Sequence, residues 1–336
     1  MRLHLLALTV CVAVFASCND DTVRPFSPME PSLQSQGSMP RILDLGTLGG
    51  PGSNAQAINE SGQVVGWSPL ATGELHAFLW TETNGMKDLG PGRALEINDR
   101  GVVLLRRPEG YVLWTERDSR STGLTGSYTV SDLNNAGVLV GQTPEGFAFT
   151  WSEEGGLEIL SDLGNGWSIA SAVNDRGLVT GYAVTDRMRG GFVWEKTTGP
   201  VAINSYPGAA MIRPVAINDN GQIAGIAYFS NTSYRAFRWS HSEGWTDVGP
   251  AMPSSIDRFG NIIGTADSRT RGWSYAFYWS PQGGMTNLHW LAPRPLSSYG
   301  HDLNDSGLIV GQSARFDRRK TGVQGHATLW KLRTGS

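Results

Sequence analysis

Beyond residue 18 the chain of 336 residues has no cysteine, because Cys11 and Cys18 both lie near its start. Disulfides and thiolate metal centres are therefore excluded from almost all of it. Charge of one sign is also lacking. The 27 Lys and Arg against 30 Asp and Glu leave a net charge of -3, which provides no global field for nucleic acid or for a strongly anionic partner. The apolar run Leu5 through Phe15 is too short to span a bilayer as a permanent helix. No HExxH, GxSxG or Walker loop occurs. Glycine is abundant instead: its 43 residues are about 13 per cent, nearly twice the usual share. With 17 prolines and 12 tryptophans, this composition describes short strands broken by many turns.

One short phrase recurs along the chain: an apolar residue, Asn or Asp, two variable residues, then Gly. It runs Asn59 to Gly62, Asn98 to Gly101, Asn134 to Gly137, Asn174 to Gly177, Asn218 to Gly221, Asp257 to Gly260 and Asn304 to Gly307. Each copy is followed by an aromatic-rich strand ending in tryptophan, at Trp80, Trp114, Trp151, Trp194, Trp239, Trp279 and Trp330. The mean spacing of about 41 residues is that of propeller blades. Asn opening the phrase and Gly closing it predict a hairpin built on a type I turn with a bulge, Gly supplying the left-handed conformation. Six copies carry a further glycine four residues on (Gly66, Gly141, Gly181, Gly225, Gly264, Gly311), where the second has Leu105; such a glycine marks a bulge or close backbone approach. A last strand of Asp-Leu-Gly type follows in most copies, as in Asp88-Leu89-Gly90.

These features predict an all-β fold, a seven-bladed propeller of four-stranded antiparallel blades over residues 41–336. The copy containing Trp330 lacks its last strand, whereas Arg41-Ile42-Leu43-Asp44-Leu45-Gly46 is an unpaired copy of that strand ahead of the first unit. The N-terminal strand is expected to complete the last blade and close the ring, removing exposed edges.

The pattern AxxINxxGxxxG, then HAFxW, then DLG resembles the HAF repeat, a bacterial extracellular repeat family. The first unit matches best, from Ala55 through Gly66, with His76-Ala77-Phe78-Leu79-Trp80 and Asp88-Leu89-Gly90; the second and sixth units are the most degraded. The resemblance implies an extracellular or surface-associated protein and carries no activity with it. Residues 1–17 read as a signal peptide, with Arg2 before the apolar run. Phe15-Ala16-Ser17-Cys18 resembles the bacterial lipobox, although Phe15 departs from the usual Leu, which implies lipidation at Cys18. Residues 18–40 are rich in Asp, Ser, Pro and Gln and read as a tether. Asn19, rather than Asp, after the cysteine points to the outer membrane or cell surface.

On the rim that carries the connections between blades, Arg106, Arg107, Arg187, Arg189, Arg235, Arg269, Arg271, Arg315, Arg318, Arg319 and Lys320 outnumber the acids by about five. The candidate binding residues there are Arg187, Arg189, Arg269, Arg271, Trp273, Arg318 and Arg319, with Trp167 and Tyr299 as aromatic platforms. Their expected ligand is an anionic glycan, a lipid phosphate or another envelope component, including a surface protein; the alternative is that these are ordinary solvated loop charges. Tyr206, like Trp167 and Tyr299, could equally plug a gap between blades. His76 and His326 share one repeat phase and read as structural. Asn218-Asp219-Asn220-Gly221 has part of a calcium-loop pattern but lacks the distal glutamate, so it reads as a turn. The leading function is thus a surface-anchored binding module: a monomer attached through its lipid, with no cofactor, no metal and no nucleic-acid partner. A propeller enzyme acting on glycans, with acids converging near the axis, is the alternative; a structural envelope protein is the third.

Overall fold

The computed structural model describes residues 40–203, 206–267, 273–288, 297–317 and 322–332. These form seven antiparallel sheets of four strands each. Blade 1 is the template, with strands Asn54–Ile58, Val64–Pro69, Leu75–Thr81 and Gly85–Pro91 paired in that order. Blades 2 to 7 open on Arg93–Ile97, Thr129–Leu133, Gly166–Val173, Met211–Ile217, Met252–Ile256 and Ser298–Leu303. These first strands touch one another in a complete circle about the axis, and the fourth strands lie outermost. Blade 7 closes as expected. Arg41–Asp44 pairs antiparallel with Gly322–Lys331, Ile42 opposite Trp330 and Asp44 opposite Thr328. Trp330 is fully buried at this seam.

Blade 2 departs most from the template. Its fourth strand is the short Ser119–Ser121, which carries no Asp-Leu-Gly to mark it as a strand in the sequence.

There is no single core. Seven apolar clusters each straddle one blade-to-blade interface, and the phenylalanines of the tryptophan strands (Phe78, Phe149, Phe192, Phe237, Phe277) are fully buried in them. Burying aromatic area of this kind stabilises by roughly 25 cal/mol per Å². The residue in the phase before these rings is alanine in blades 1, 3, 5, 6 and 7 and Gly191 in blade 4, which leaves room for the next blade, and in three blades its backbone is tied there. Ala148 N donates to Ser168 Oγ, Ala276 N to Ser298 Oγ and Ala327 N to Ser53 Oγ, at 2.9–3.0 Å.

The repeated polar residues form a second set of ties. In the turn Asn59 to Gly62, Gly62 N donates to Asn59 O at 3.0 Å and Gly62 has φ 74°, as the hairpin reading required. Asn59 Oδ1 accepts from Gln63 N, and its Nδ2 donates to Asn98 O of blade 2 at 3.1 Å. The same amide step continues from Asn98 to Asn134, Asn134 to Asn174, Asn174 to Asn218, Asn218 to Asp257, and from Asn304 back to Asn59. Blade 6 breaks the circle, because the Asp257 carboxylate has no N–H to give. His76 pairs with Asp88 and His326 with Asp44, and each aspartate also accepts from the glycine of its Asp-Leu-Gly (Gly90 N, Gly46 N); Arg235 and Asp247 repeat the arrangement in blade 5. His76 and His326 are thus structural, as their phase implied.

Every first strand bulges at the same place, three residues before its Asn or Asp, for instance between Ala55 and Ala57. Opposite the bulge lies the second glycine of the repeat. A Cβ on Gly66 would run into the Asn54 carbonyl oxygen and come within 2.9 Å of Phe78 Cζ.

Candidate functional site

Two places stand out: the axial channel and one sector of the rim. The channel encloses about 500 Å³ and is walled by the first strands and their Asn turns. Its mouth is acidic because the residue after each Asn is mostly a carboxylate. These groups already hold the ring. Glu60 N donates to Asp99 Oδ1, Asp99 N to Asn135 Oδ1, Asn135 N to Asp175 Oδ1, Asp175 N to Asp219 Oδ1, Arg258 N to Asp305 Oδ1 and Asp305 N to Glu60 Oε1, all at 2.7–2.9 Å.

Deeper, at the bulges, lie Glu96, Asp132 and Asp302. Asp132 accepts from Leu133 N and, across the interface, from Val173 N at 2.8 Å. Asp302 accepts from Ile58 N of blade 1, from Ser255 Oγ of blade 6 and from Leu303 N. Glu96 has no hydrogen bond among the described residues, and it lines the channel with the other two. Burial raises all three acids. Asp132 is pushed up to about 6, Asp302 is raised, and Glu96 is raised well above the ordinary carboxylate range, with Asp132 and Asp302 adding to the effect. Glu96 is thereby biased toward its neutral form, able to donate a proton. His301, in the same wall, bonds through Nδ1 to Ala55 O at 2.7 Å, and burial holds it below the usual histidine range. Among the described residues no group of three metal-ligating side chains is set to hold an ion.

The rim sector lies on blade 4 and its neighbours. Trp167, at the start of the first strand of blade 4, is 45% exposed, whereas Trp80, Trp194 and Trp279 of the repeat are each 6% exposed. Its ring lies 6.2 Å from Tyr182, tilted by 58°. Arg189 is exposed and makes no hydrogen bond or ion pair among the described residues. Tyr182 and Arg189 line a cleft of about 120 Å³ with Gly190, Ile203 and the segment from Ala209 to Ile212 that leads into blade 5.

The other rim candidates fare differently. Arg187 is exposed and leans on Asp162 O at 3.5 Å. Arg106 stacks on Tyr111 at 4.4 Å and donates to Gly126 O, Arg107 donates to Leu89 O, and Arg235 is paired with Asp247. Trp273 and Tyr299 are half-buried. Tyr206 is a plug, edge-on to Trp245 at 5.3 Å and to Phe229 at 6.1 Å. Cys18, Arg269, Arg271, Arg318, Arg319 and Lys320 lie outside the described residues. Of the sequence candidates the structure brings together Trp167 and Arg189, and it adds Tyr182. Tyr182 follows Gly181 directly, the phase in which blade 1 has Trp67, so aligning the repeats would have exposed it. Glu96, Asp132 and Asp302 likewise occupy one phase, where other blades have Ala57, Ala172, Ala216 and Ser255.

No family model matches the sequence, and no curated protein matches it. Among solved structures, TolB from Acinetobacter baumannii aligns with a TM-score of 0.40 at 15% identity, over 74% of this chain and 54% of that one. This chain thus spans about half the length of that protein. A gluconolactonase from Xanthomonas campestris aligns with a TM-score of 0.39 at 11% identity, over 69% of this chain and 90% of that one. The WD40 domain of Toxoplasma gondii coronin aligns with a TM-score of 0.42 at 12% identity, over 89% and 86% respectively.

Proposed function

We propose that this chain is a binding propeller of the HAF-repeat type, held at the bacterial surface through a lipid on Cys18, and that it takes its ligand on the inter-blade rim around blade 4. The observation that carries this reading is the exposed indole of Trp167 set against Tyr182 beside the unengaged guanidinium of Arg189. Ligand sites combine apolar faces with a few polar groups of this kind. The protein acts as a monomer without cofactor or metal, and its ligand is an envelope component, glycan or protein. Capturing envelope extract and an arrayed glycan panel on the purified full chain tests the reading. Trp167→Ala is expected to abolish retention of whatever is captured, and retention unchanged in that variant would refute it. For the anchor, Cys18→Ala is expected to move the chain from the membrane fraction into the soluble fraction.

A second reading, cleavage of a glycan inside the channel, is favoured by one observation: the Glu96 side chain lines the channel without a hydrogen bond among the described residues, and burial, with Asp132 and Asp302 beside it, pushes its carboxyl up. Against it, Asp132 and Asp302 already bind backbone donors of the neighbouring blades. Release of reducing ends from the same panel, lost in Glu96→Gln, would favour cleavage over binding alone.

A further inference from the structure

Resting on that reading of the rim, we propose that the ligand is an acidic glycan, a chain of sugars bearing carboxylates, with one sugar face on Trp167 and a neighbouring carboxylate on Arg189. Strand register fixes the spacing. Trp167 lies opposite Val184, and Val184 lies opposite Arg189, so all three side chains stand in one row on the same face of blade 4. Two strand spacings, roughly 10 Å, separate the first from the last. A single sugar ring cannot cover both positions, but two linked rings can. The next row reads Ile169, Tyr182 and Gly191. A Cβ on Gly191 would meet Pro214 Cγ at 2.9 Å and Ile212 Cδ1 at 3.1 Å, so blade 5 packs closely against this row. The cleft between Tyr182 and the Ala209 to Ile212 segment opens beside this row, and its exposed lining is mostly polar, suited to bonding sugar hydroxyls next to the indole face.

The anion follows from the guanidinium. Arg189 presents a planar fork that matches a carboxylate in bidentate fashion, with no internal acceptor competing for it. A phosphopeptide calls for a cluster of such groups. Of the other sequence-derived rim arginines, those whose side chains are described do not supply one: Arg187 rests on the Asp162 carbonyl, and Arg106, Arg107 and Arg235 are engaged elsewhere. The platform is also held in place before any ligand arrives. Ser168 N donates to Gly146 O at 2.8 Å, Asn165 N to Asp186 Oδ1 at 2.8 Å and Thr185 Oγ1 to Leu163 O at 2.6 Å, which fixes the backbone beside Trp167 and Val184. Blade 1 shows the closed counterpart. Trp67, in the phase of Tyr182, is covered by Arg93 at 4.9 Å, so its face is already occupied.

The test is titration calorimetry of the purified full chain with oligogalacturonate, hyaluronan and alginate oligomers, each beside its methyl ester, and with neutral maltotriose and inorganic phosphate. At least one acid oligomer is expected to bind at least about tenfold more tightly than its ester. Arg189→Gln should weaken that binding about tenfold to hundredfold, the loss of one charge-assisted pair, with Arg189→Lys recovering only part. Trp167→Ala should remove it. Equal affinity for acid and ester, or indifference to Arg189→Gln, overturns the proposal; if that binding still needs Trp167, the rim reading survives. Binding of none of the acids also overturns it, as does binding of phosphate alone. Because both side chains are exposed, circular dichroism of the variants is expected to match the parent.

Discussion

Asp257 is the one place where the ring of side-chain amides fails, so Asp257→Asn should strengthen the protein. In the other six blades Asn Nδ2 donates to the carbonyl of the next turn at 2.7–3.1 Å. Asp257 keeps the remaining geometry: its Oδ1 accepts from Phe259 N at 2.9 Å and from Asn261 N at 2.8 Å. An asparagine would retain both bonds and point its amide at Asn304 O. Its other N–H would face the Asn261 side chain, which now donates to Asp257 Oδ2 and would turn its amide over to accept, as Gln63 does for Asn59 and Gln222 for Asn218. One added internal hydrogen bond contributes about 1 kcal/mol. A second gain comes from charge. Burial raises the Asp257 pKa above its ordinary value, so the ionised form present at neutral pH destabilises the fold, and that penalty appears as pH rises through the interval between the unfolded and folded values. Thermal unfolding at pH 7 should therefore show a rise of about 2 °C or more, and the gain should shrink below the ordinary aspartate pKa, where only the hydrogen bond differs. Asn98→Asp should move stability the other way. A variant Asp257→Asn no more stable than the parent at pH 7 would refute the view that the amide circle holds the blades together.

Three further outcomes can be measured. Because Glu96, Asp132 and Asp302 all have raised pKa values, denaturant stability should fall as pH rises through the ordinary carboxylate range and past about 6; Glu96→Gln should flatten this fall, and an unchanged slope would count against it. Ser168→Ala leaves the buried Ala148 N–H without its acceptor, so urea unfolding should show a loss of about 1–3 kcal/mol, whereas Ser161→Ala, on an exposed turn, should change little. Removing Arg41–Asp44 leaves the Gly322–Lys331 strand as an open edge, and light scattering should then detect association that the intact chain does not show.

The ring was legible in the sequence because its ties use the same residue types in blade after blade. Asn59, Gly62 and Gly66 have counterparts at fixed spacing, and the displaced Asp44-Leu45-Gly46 revealed the closure. What the asparagine does was only half legible. Its local turn bonds follow from residue preference, but its bond to the next blade requires knowing that successive turns lie side by side. The channel acids were hidden for the same reason. Glu96, Asp132 and Asp302 come from blades 2, 3 and 7, and only ring closure and a shared bulge bring them to one level. Counting rim charges treats Arg235, paired with Asp247, and Arg189, which is unengaged, alike, because a sequence cannot distinguish them.

Much of the repeated polar set is already committed to holding the fold. The Asn turns bond to the next blade, the carboxylates after them accept from the turn of the preceding blade, and Asp44, Asp88 and Asp247 bond to the His or Arg of the adjoining strand. A side chain committed in this way has fewer donor and acceptor sites left to offer a ligand. On the binding role proposed above, recognition falls to residues that do not repeat and that the ring leaves unengaged. Trp167 meets both conditions: seven residues before the Asn or Asp, the other copies have Gly52, Pro91, Ser127, Met211, Pro250 and Ser297, none of them aromatic. Arg189 meets the second, so the two together mark where this propeller differs from a bare scaffold.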